Sequence, residues 1–321
     1  MPGPTDAVVQ VEACALNHQD IDIREGTFRL PISLPHITGT EAIGRIRHLP
    51  ADRQGTPLEL GQRVMVHQVH VCGRCTFCSR GQDNLCRNWR MMGVHRPGGY
   101  AEFVTAPVDD LLPIGDDLEP TQWAGIQIAF GTAWHLVVGM AGVRPGEMVL
   151  VNAAGSGVSS AALQIAKLSG AWVIASAGSD AKLERALNLG ADATVNYNAE
   201  SLYDGVMRLT EGSGVDVAIE HVGGNLFLDA LRAVRDGGRL VTCGAHAGEV
   251  VSLDLIDIFR SQKRVIGSRM WTRAEIQTVI SLVKARRLRP VIDTVFPLKD
   301  AAKAQIRLVD RANFGKIVMV P

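Results

Sequence analysis

A surplus of charge of either sign is missing from this sequence: 33 Lys and Arg are matched by 33 Asp and Glu, for a formal net charge of zero. Such a chain has no electrostatic footprint for nucleic acid or an anionic membrane surface. Long apolar runs are missing too. No stretch reads as a transmembrane helix, and no basic start leads into an apolar segment as in a secretory signal. The cytoplasm is therefore the expected location. Low-complexity tracts, flexible linkers and internal repeats are absent. What remains is 321 residues, 46% hydrophobic and 21% charged, the make-up of a globular enzyme with room for two cores.

Cysteine is scarce outside one place. Cys14 and Cys243 stand alone and read as small buried hydrophobes. The other four, Cys72, Cys75, Cys78 and Cys86, fall within fifteen residues. Two-residue spacings let backbone turns aim successive thiolates at one point, and a longer loop brings the fourth around. Four thiolates close a tetrahedral Zn²⁺ site with no open position for water, so the zinc expected here is structural. An iron–sulfur cluster uses similar spacing, but the Cys-Pro of the bacterial run is absent. The site would carry a charge of about −2, four thiolates on one dication, and the interleaved Arg74, Arg80 and Arg87 can offset it.

A strict G-x-G-x-x-G is also lacking. Gly155 and Gly157 are present, but Ala153 and Ser159 stand where the count wants glycine. Context strengthens the match. The apolar run Met148 to Val151 reads as a buried strand, Ala153 to Ser160 as a small-residue turn, and Leu163, Ile165, Ala166 and Leu168 as a helix face. Further βα alternation follows at 173–175, 193–196, 215–220 and 238–243. That pattern makes a doubly wound parallel sheet, with a pyrophosphate expected on the helix N-terminus behind Gly155 and Gly157. Before it, short strands bounded by Gly and Pro, among them 7–15 and 62–69, give a β-rich region up to about residue 115. Leu16 to Asp20 reads as a loop, 121–140 and 274–287 as helices, and 316–320 as a strand returning to the first domain.

The motifs together resemble the medium-chain dehydrogenase/reductase superfamily of zinc alcohol dehydrogenases and quinone oxidoreductases. They are Ala15-Leu16-Asn17-His18, Gly39-Thr40-Glu41-Ala42, the four-cysteine lobe, Gly98-Gly99-Tyr100-Ala101-Glu102, Phe130-Gly131-Thr132-Ala133-Trp134, the glycine turn, Val222-Gly223-Gly224 and Asn313-Phe314-Gly315-Lys316. The resemblance implies an α/β fold. A GroES-like β-rich catalytic domain (1–128 and 268–321, zinc lobe 72–86) would be joined to a Rossmann NAD(P)-binding domain (129–267). It also implies a β-hairpin ahead of Gly3-Pro4-Thr5-Asp6 that this sequence does not show; without it the catalytic domain would have an uncovered edge strand.

Departures from the family pattern bear on the chemistry. Asn17 and Thr40 occupy positions where zinc alcohol dehydrogenases carry a Cys and a His ligand, a second Cys is missing near Ile128, and only Glu41 is retained. Gln19 stands in place of the proton-relaying hydroxyl. Asn17 reads as orienting the nicotinamide or a substrate carbonyl, or else as a loop-capping Asn. His18 and Asp20 read as a proton relay or a structural pair, Glu41 as ordering its loop, and His67, His70 and His95 as hydrogen-bonded histidines rather than ligands. Thr132 matches a family contact with the nicotinamide end.

The implied cofactor contacts are Ala154, Gly155, Ser156, Gly157 and Val158 of the turn, Ser176, Gly178 and Ser179 after the second strand, Lys182, Tyr197, Cys243, Gly244 and Lys316. The stretch Ala175 to Ser179 has no acid to hold a ribose 2′-OH, so NADP(H) is expected ahead of NAD(H), with Lys182 and Tyr197 beside the 2′-phosphate. The expected activity is hydride transfer to or from a small-molecule carbonyl or conjugated enone or quinone, with one structural zinc and no catalytic one. The alternatives are an alcohol dehydrogenase acting on ketones or aldehydes, with or without an atypical metal, and a non-catalytic NADPH-binding sensor or structural protein. The resemblance implies a homodimer or homotetramer.

Overall fold

The computed structural model describes residues 2–51 and 57–321. The chain forms two compact units. The first takes the chain up to Ile128 with Thr272–Ala274 and Pro290–Pro321; the second is Ala129–Trp271 with Glu275–Arg289.

The first unit is built on a seven-stranded sheet. Its order is Ile292–Pro297, Lys316–Val320, Asp6–Ala15, Glu41–His48, Arg63–Val66 and Leu111–Pro113, with Phe103–Pro107 also paired to Asp6–Ala15. Along Asp6–Ala15 buried and half-buried residues alternate, as a strand with one face on a core requires. That face packs Val9, Val11, Ile46, Val64 and Val104 together. Register matters here: Ala15 pairs with Glu41 on one side and Val318 on the other, and Leu16 N–H reaches Ile317 O at 2.9 Å. The chain therefore leaves its first strand between the start of the Glu41 strand and Lys316.

The second unit holds six parallel strands in the order Ala193–Asn196, Trp172–Ala177, Met148–Val151, Val215–Glu220, Val234–Thr242, Arg264–Gly267. This is the 3-2-1-4-5-6 order of a Rossmann sheet, whose direction of winding switches between Met148–Val151 and Val215–Glu220. The central strands are apolar throughout, as burial on both faces demands: Val149, Leu150, Val151, Val217, Ala218 and Ile219 are all fully buried. The expected α/β class, a β-rich unit and a doubly wound one, is the observed class.

Three local expectations are corrected. A helix, His18–Glu25, begins inside the stretch read as a loop; its sequence, HQDIDIRE, is too polar to show an apolar stripe. The 121–140 pattern is not one helix. It divides into Pro120–Ala124, Gln127–Trp134 and a wider π-type turn, His135–Met140. The break falls at Gly125, which ends Pro120–Ala124 and whose added Cβ would lie 2.5 Å from Ile292 Cδ1. Finally, 275–289 groups with the second unit, whereas the sequence reading gave all of 268–321 to the first. The helix Arg273–Lys284 buries Ile276, Val279, Ile280 and Val283, and Glu275 bonds His135 Nδ1 at 2.9 Å.

Candidate functional site

The register of the first sheet gathers Asn17, Glu41 and Lys316, residues that are far apart in sequence. Lys316 Nζ donates to Leu16 O at 2.8 Å and to Asn17 Oδ1 at 2.6 Å, and pairs with Glu41 Oε2 at 2.7 Å. Asn17 Nδ2 donates to the same Glu41 oxygen at 3.0 Å, and Ile128 N–H donates to Glu41 Oε1 at 2.6 Å. Glu41 is fully buried and Lys316 nearly so. A buried carboxylate is tolerable only when paired and hydrogen-bonded, and here an ammonium, an amide and a helix N-terminus share it. Thr40, the neighbouring residue, has a buried hydroxyl with no hydrogen-bond partner.

Asp20 organises the other side of this corner. Its carboxylate accepts from Asn17 N–H at 2.9 Å, Gly39 N–H at 3.1 Å and Tyr100 Oη at 2.7 Å. Burial pushes its carboxyl up to about 6, against the lowering effect of those three donors. The relay read for His18 and Asp20 gives way to a structural role for the carboxylate: it caps its own helix and ties it to the Gly39 turn. His18 itself is exposed at the helix start. Gly39 has φ +100°, and a Cβ there would lie 2.7 Å from the Tyr100 ring, so only glycine lets the two segments meet. Sequence reasoning did not find Tyr100 as a partner of Asp20, since the two sit 80 positions apart.

In the zinc lobe the sulfurs of Cys72, Cys75, Cys78 and Cys86 lie within 4.8 Å of one another. Three pairs stand at 3.5, 3.6 and 4.0 Å, close to the ~3.8 Å that 2.3 Å Zn–S bonds at tetrahedral angles give. Backbone N–H groups, that of Cys78 first, bring the Cys75 thiol down to about 6, whereas burial pushes Cys78 up to about 12. The donor set and its geometry fit a structural zinc. Among the described residues this is the only such cluster of His, Cys, Asp or Glu. His67 bonds Val69 O, His70 bonds Asp110 and His95 accepts from Met91 N–H, as expected of histidines that hold structure.

In the second unit the glycine turn lies at the switch point of the sheet. Ala153 takes φ +51° there, a left-handed position that glycine would occupy without strain. Ala154 N–H is committed to Ser176 O at 2.8 Å, and Ser176 Oγ to Asn152 Oδ1 at 2.9 Å. Both residues therefore support the turn from beneath, which corrects their reading as direct cofactor contacts. Ser156 caps the helix Gly157–Leu168, whose first amides, Gly157 and Val158 among them, have no partner within the helix. Lys182 crosses the turn: a Cβ on Gly155 would lie 2.8 Å from its Cδ and 3.3 Å from its Nζ. Tyr197 and Asn198 crowd Gly178 in the same way, at 3.0 and 2.9 Å. Gly155, Gly178, Ser179, Lys182 and Tyr197 are thus brought to one place. Cys243 and Gly244 end the Val234–Thr242 strand; burial raises the Cys243 thiol to about 12, leaving it protonated. Thr132 is buried on Gln127–Trp134, in the second unit. Lys316 belongs to the first unit's Asn17–Glu41 corner, where it is held by three oxygens, rather than to the glycine turn.

Residues 3–116 match the family model described as "Alcohol dehydrogenase GroES-like domain", and residues 157–285 the one described as "Zinc-binding dehydrogenase". An alcohol dehydrogenase of Geobacillus stearothermophilus is 30% identical over 315 residues, 98% of this chain and 91% of the relative. A solved NAD-dependent alcohol dehydrogenase superposes with a TM-score of 0.95 at 40% identity, covering 100% of this chain and 93% of that one. A zinc-binding dehydrogenase from Sinorhizobium meliloti, solved bound to NADP, gives 0.88 at 28% identity, with 100% and 93% covered. No helix among the described residues is long and apolar enough to cross a membrane. By motif, fold and sequence the chain belongs to the zinc-type alcohol dehydrogenase family of the medium-chain dehydrogenase/reductase superfamily, the NAD(P)-dependent oxidoreductases.

Proposed function

We propose that this oxidoreductase uses NADP(H) to reduce a small carbonyl compound, conjugated enone or quinone, without a catalytic zinc. The observation that carries this reading is the Lys316 ammonium, held at 2.6–2.8 Å by Leu16 O, Asn17 Oδ1 and Glu41 Oε2. A catalytic zinc needs about three N, S or O ligands and an open position. This corner offers an amide, a hydroxyl and one carboxylate, and the carboxylate already has a cation. The donor set does not fit a second metal.

When bound, the nicotinamide supplies the hydride. The chain's own residues do the rest. The helix N-terminus at Gly157, with Ser156, holds the pyrophosphate. Lys182 and Tyr197, beside an acid-free 175–179 stretch, accommodate a 2′-phosphate; the NADP-bound relative supports that choice, while the NAD-dependent one, at 40% identity, speaks for NAD(H). Lys316, its three protons given to Leu16 O, Asn17 Oδ1 and Glu41 Oε2, fixes this corner, and Thr40 has a hydroxyl with no other commitment to offer an oxyanion. Cys72, Cys75, Cys78 and Cys86 would hold zinc as a clamp on their lobe.

The test combines metal analysis with kinetics. About one zinc per chain is expected, with reduction of enones, quinones or aldehydes faster with NADPH than NADH and insensitive to mild chelation. Two zincs per chain, or activity lost on stripping a weakly held ion from a folded chain, would favour the alcohol dehydrogenase with an atypical metal. A clear preference for NADH would overturn the cofactor assignment. Tight NADPH binding with no turnover across the panel would favour a sensor.

A further inference from the structure

The carboxyl end of the strand Val215–Glu220, at the sheet's switch point, carries a negative charge that its surroundings do not balance. Glu220 is fully buried. Its Oε1 accepts Val222 N–H at 2.6 Å and Gly223 N–H at 3.1 Å, and Oε2 shares the Gly223 N–H at 3.3 Å. Burial pushes the carboxyl up, against those N–H groups, the N–H of His221 and the Asn152 amide. All of these partners are neutral donors. Among the described residues no lysine or arginine pairs with the carboxylate. The adjoining His221, brought down to about 4 chiefly by burial, is uncharged at neutral pH.

The fold does not need that charge. The turn after the strand needs an acceptor, because Gly223 and Gly224 take φ of +81° and +57° and leave the strand ladder. It is also held from the loop beyond the next strand: Gly224 N–H donates to Gly248 O at 3.1 Å, and Ala247 N–H to Val222 O at 2.7 Å. Both short bonds to Glu220 end on one oxygen, which a glutamine would offer as well. A buried carboxylate without a counter-ion costs more than an amide, and perturbed charges of this kind gather where function uses them.

A dinucleotide lies across the carboxyl ends of the strands, one mononucleotide on each half of the sheet. The glycine turn and the acid-free 175–179 stretch belong to the half made by Met148–Val151, Trp172–Ala177 and Ala193–Asn196. That leaves the nicotinamide to the half made by Val215–Glu220, Val234–Thr242 and Arg264–Gly267. Glu220 ends the first strand of this second half and pairs in register with Thr242. Its charge is felt at the next residue along: the Cys243 thiol is raised to about 12, by burial first and then by Glu220. We propose that Glu220 sets which redox form of the cofactor the chain prefers: its buried, unbalanced carboxylate favours the positively charged oxidised nicotinamide over the neutral reduced one. The inference rests on the dinucleotide reading above and deepens it. The ring becomes positive as it gives up hydride, so the same charge assists donation, the direction proposed for the reaction.

Dissociation constants of the full chain for NADP⁺, NADPH and 2′-phospho-ADP-ribose, which lacks the ring, provide the test. Glu220→Gln should weaken NADP⁺ on the order of tenfold, the effect of one charge acting through several ångströms of protein. NADPH and 2′-phospho-ADP-ribose should stay within about twofold. Glu220→Asp keeps the charge, so the ratio of the NADP⁺ and NADPH constants should stay within about twofold of the natural chain's, whatever the shorter side chain does to both. A role confined to holding the turn would weaken NADP⁺ and NADPH alike. That result, or no change in Glu220→Gln, would overturn the proposal, as would a shifted ratio in Glu220→Asp. Should Glu220→Gln fail to fold, Glu220→Ser, neutral and small enough to admit a water, is read by the same ratio. If NAD(H) binds more tightly than NADP(H), the NAD⁺ and NADH constants give that ratio. A natural chain that binds none of these dinucleotides would defeat the cofactor reading itself, an outcome distinct from the others.

Discussion

Two buried residues set the electrostatics of the first unit, and their effects have opposite signs. Lys316 neutralises Glu41, which has no exposed surface. Removing one partner of a buried pair strands the other charge, at about 3–5 kcal/mol. Lys316→Met should therefore cost that much in urea unfolding, and adding Glu41→Gln should recover a large part of it; a loss under about 1 kcal/mol in the single variant would refute the pairing. Asp20 works the other way. Its folded carboxyl is raised from 3.8 to about 6, chiefly by burial, so between those values the folded chain binds the proton more tightly than the unfolded chain. The resulting stability is present below 3.8 and disappears as pH climbs through 6. Relative to Asp20→Asn, the natural chain should lose stability between pH 4 and 7, by an amount on the order of 3 kcal/mol. A flat difference over that range would show that Asp20 is not perturbed. Neither residue's role could be read locally. Asn17 and Glu41 drew attention through motifs, but Lys316 meets Asn17 across 299 positions, and only strand register joins them.

At the level of elements, what could be read followed burial. The central parallel strands of the second unit are apolar on both faces and the pattern located them, whereas the edge strand Arg264–Gly267, mostly exposed, gave no such run and was not picked out. The helix at His18–Glu25 was missed since it is held by capping and by Tyr100 rather than by an apolar stripe. The break at Gly125 was missed because apolar residues run through it on both sides, Trp123, Ala124 and Ile126 all being buried. The zinc lobe is the reverse case, legible from spacing alone. Its stability must come from metal: between Cys72 and Cys86 only Asn84 and Cys86 are buried, too little apolar surface to order the loop. Strong chelation after thiol modification should release about one zinc and lower the melting temperature by at least about 5 °C. Cys75→Ser should do the same without chelator. Unchanged melting after zinc release would mean that the lobe folds on its own contacts.

At the level of the whole molecule, the fold class was readable because a βα alternation with apolar strands admits few architectures, and the family motifs narrowed them further. The surface was less so, because exposure depends on what each element packs against. In the second unit the last strand, Arg264–Gly267, ends the sheet with one edge unpaired. Beside it in sequence, Val250, Leu253, Leu255, Ile256, Phe259 and Val265 are 92, 38, 70, 55, 65 and 41% exposed. Single exposed apolar residues need no account, but six within sixteen positions, next to an open strand edge, are of the kind that association covers. A second copy of the chain can pair edge to edge about a two-fold axis and bury the same residues from both sides. Light scattering should give an even multiple of the chain mass, and the double variant Ile256→Asp, Phe259→Asp should halve it, since a carboxylate on each side would be buried against its own copy. The second unit's sheet does not depend on those two side chains, so circular dichroism should be unchanged. A monomer at micromolar concentration, or a variant of unaltered mass, would leave the patch without this partner.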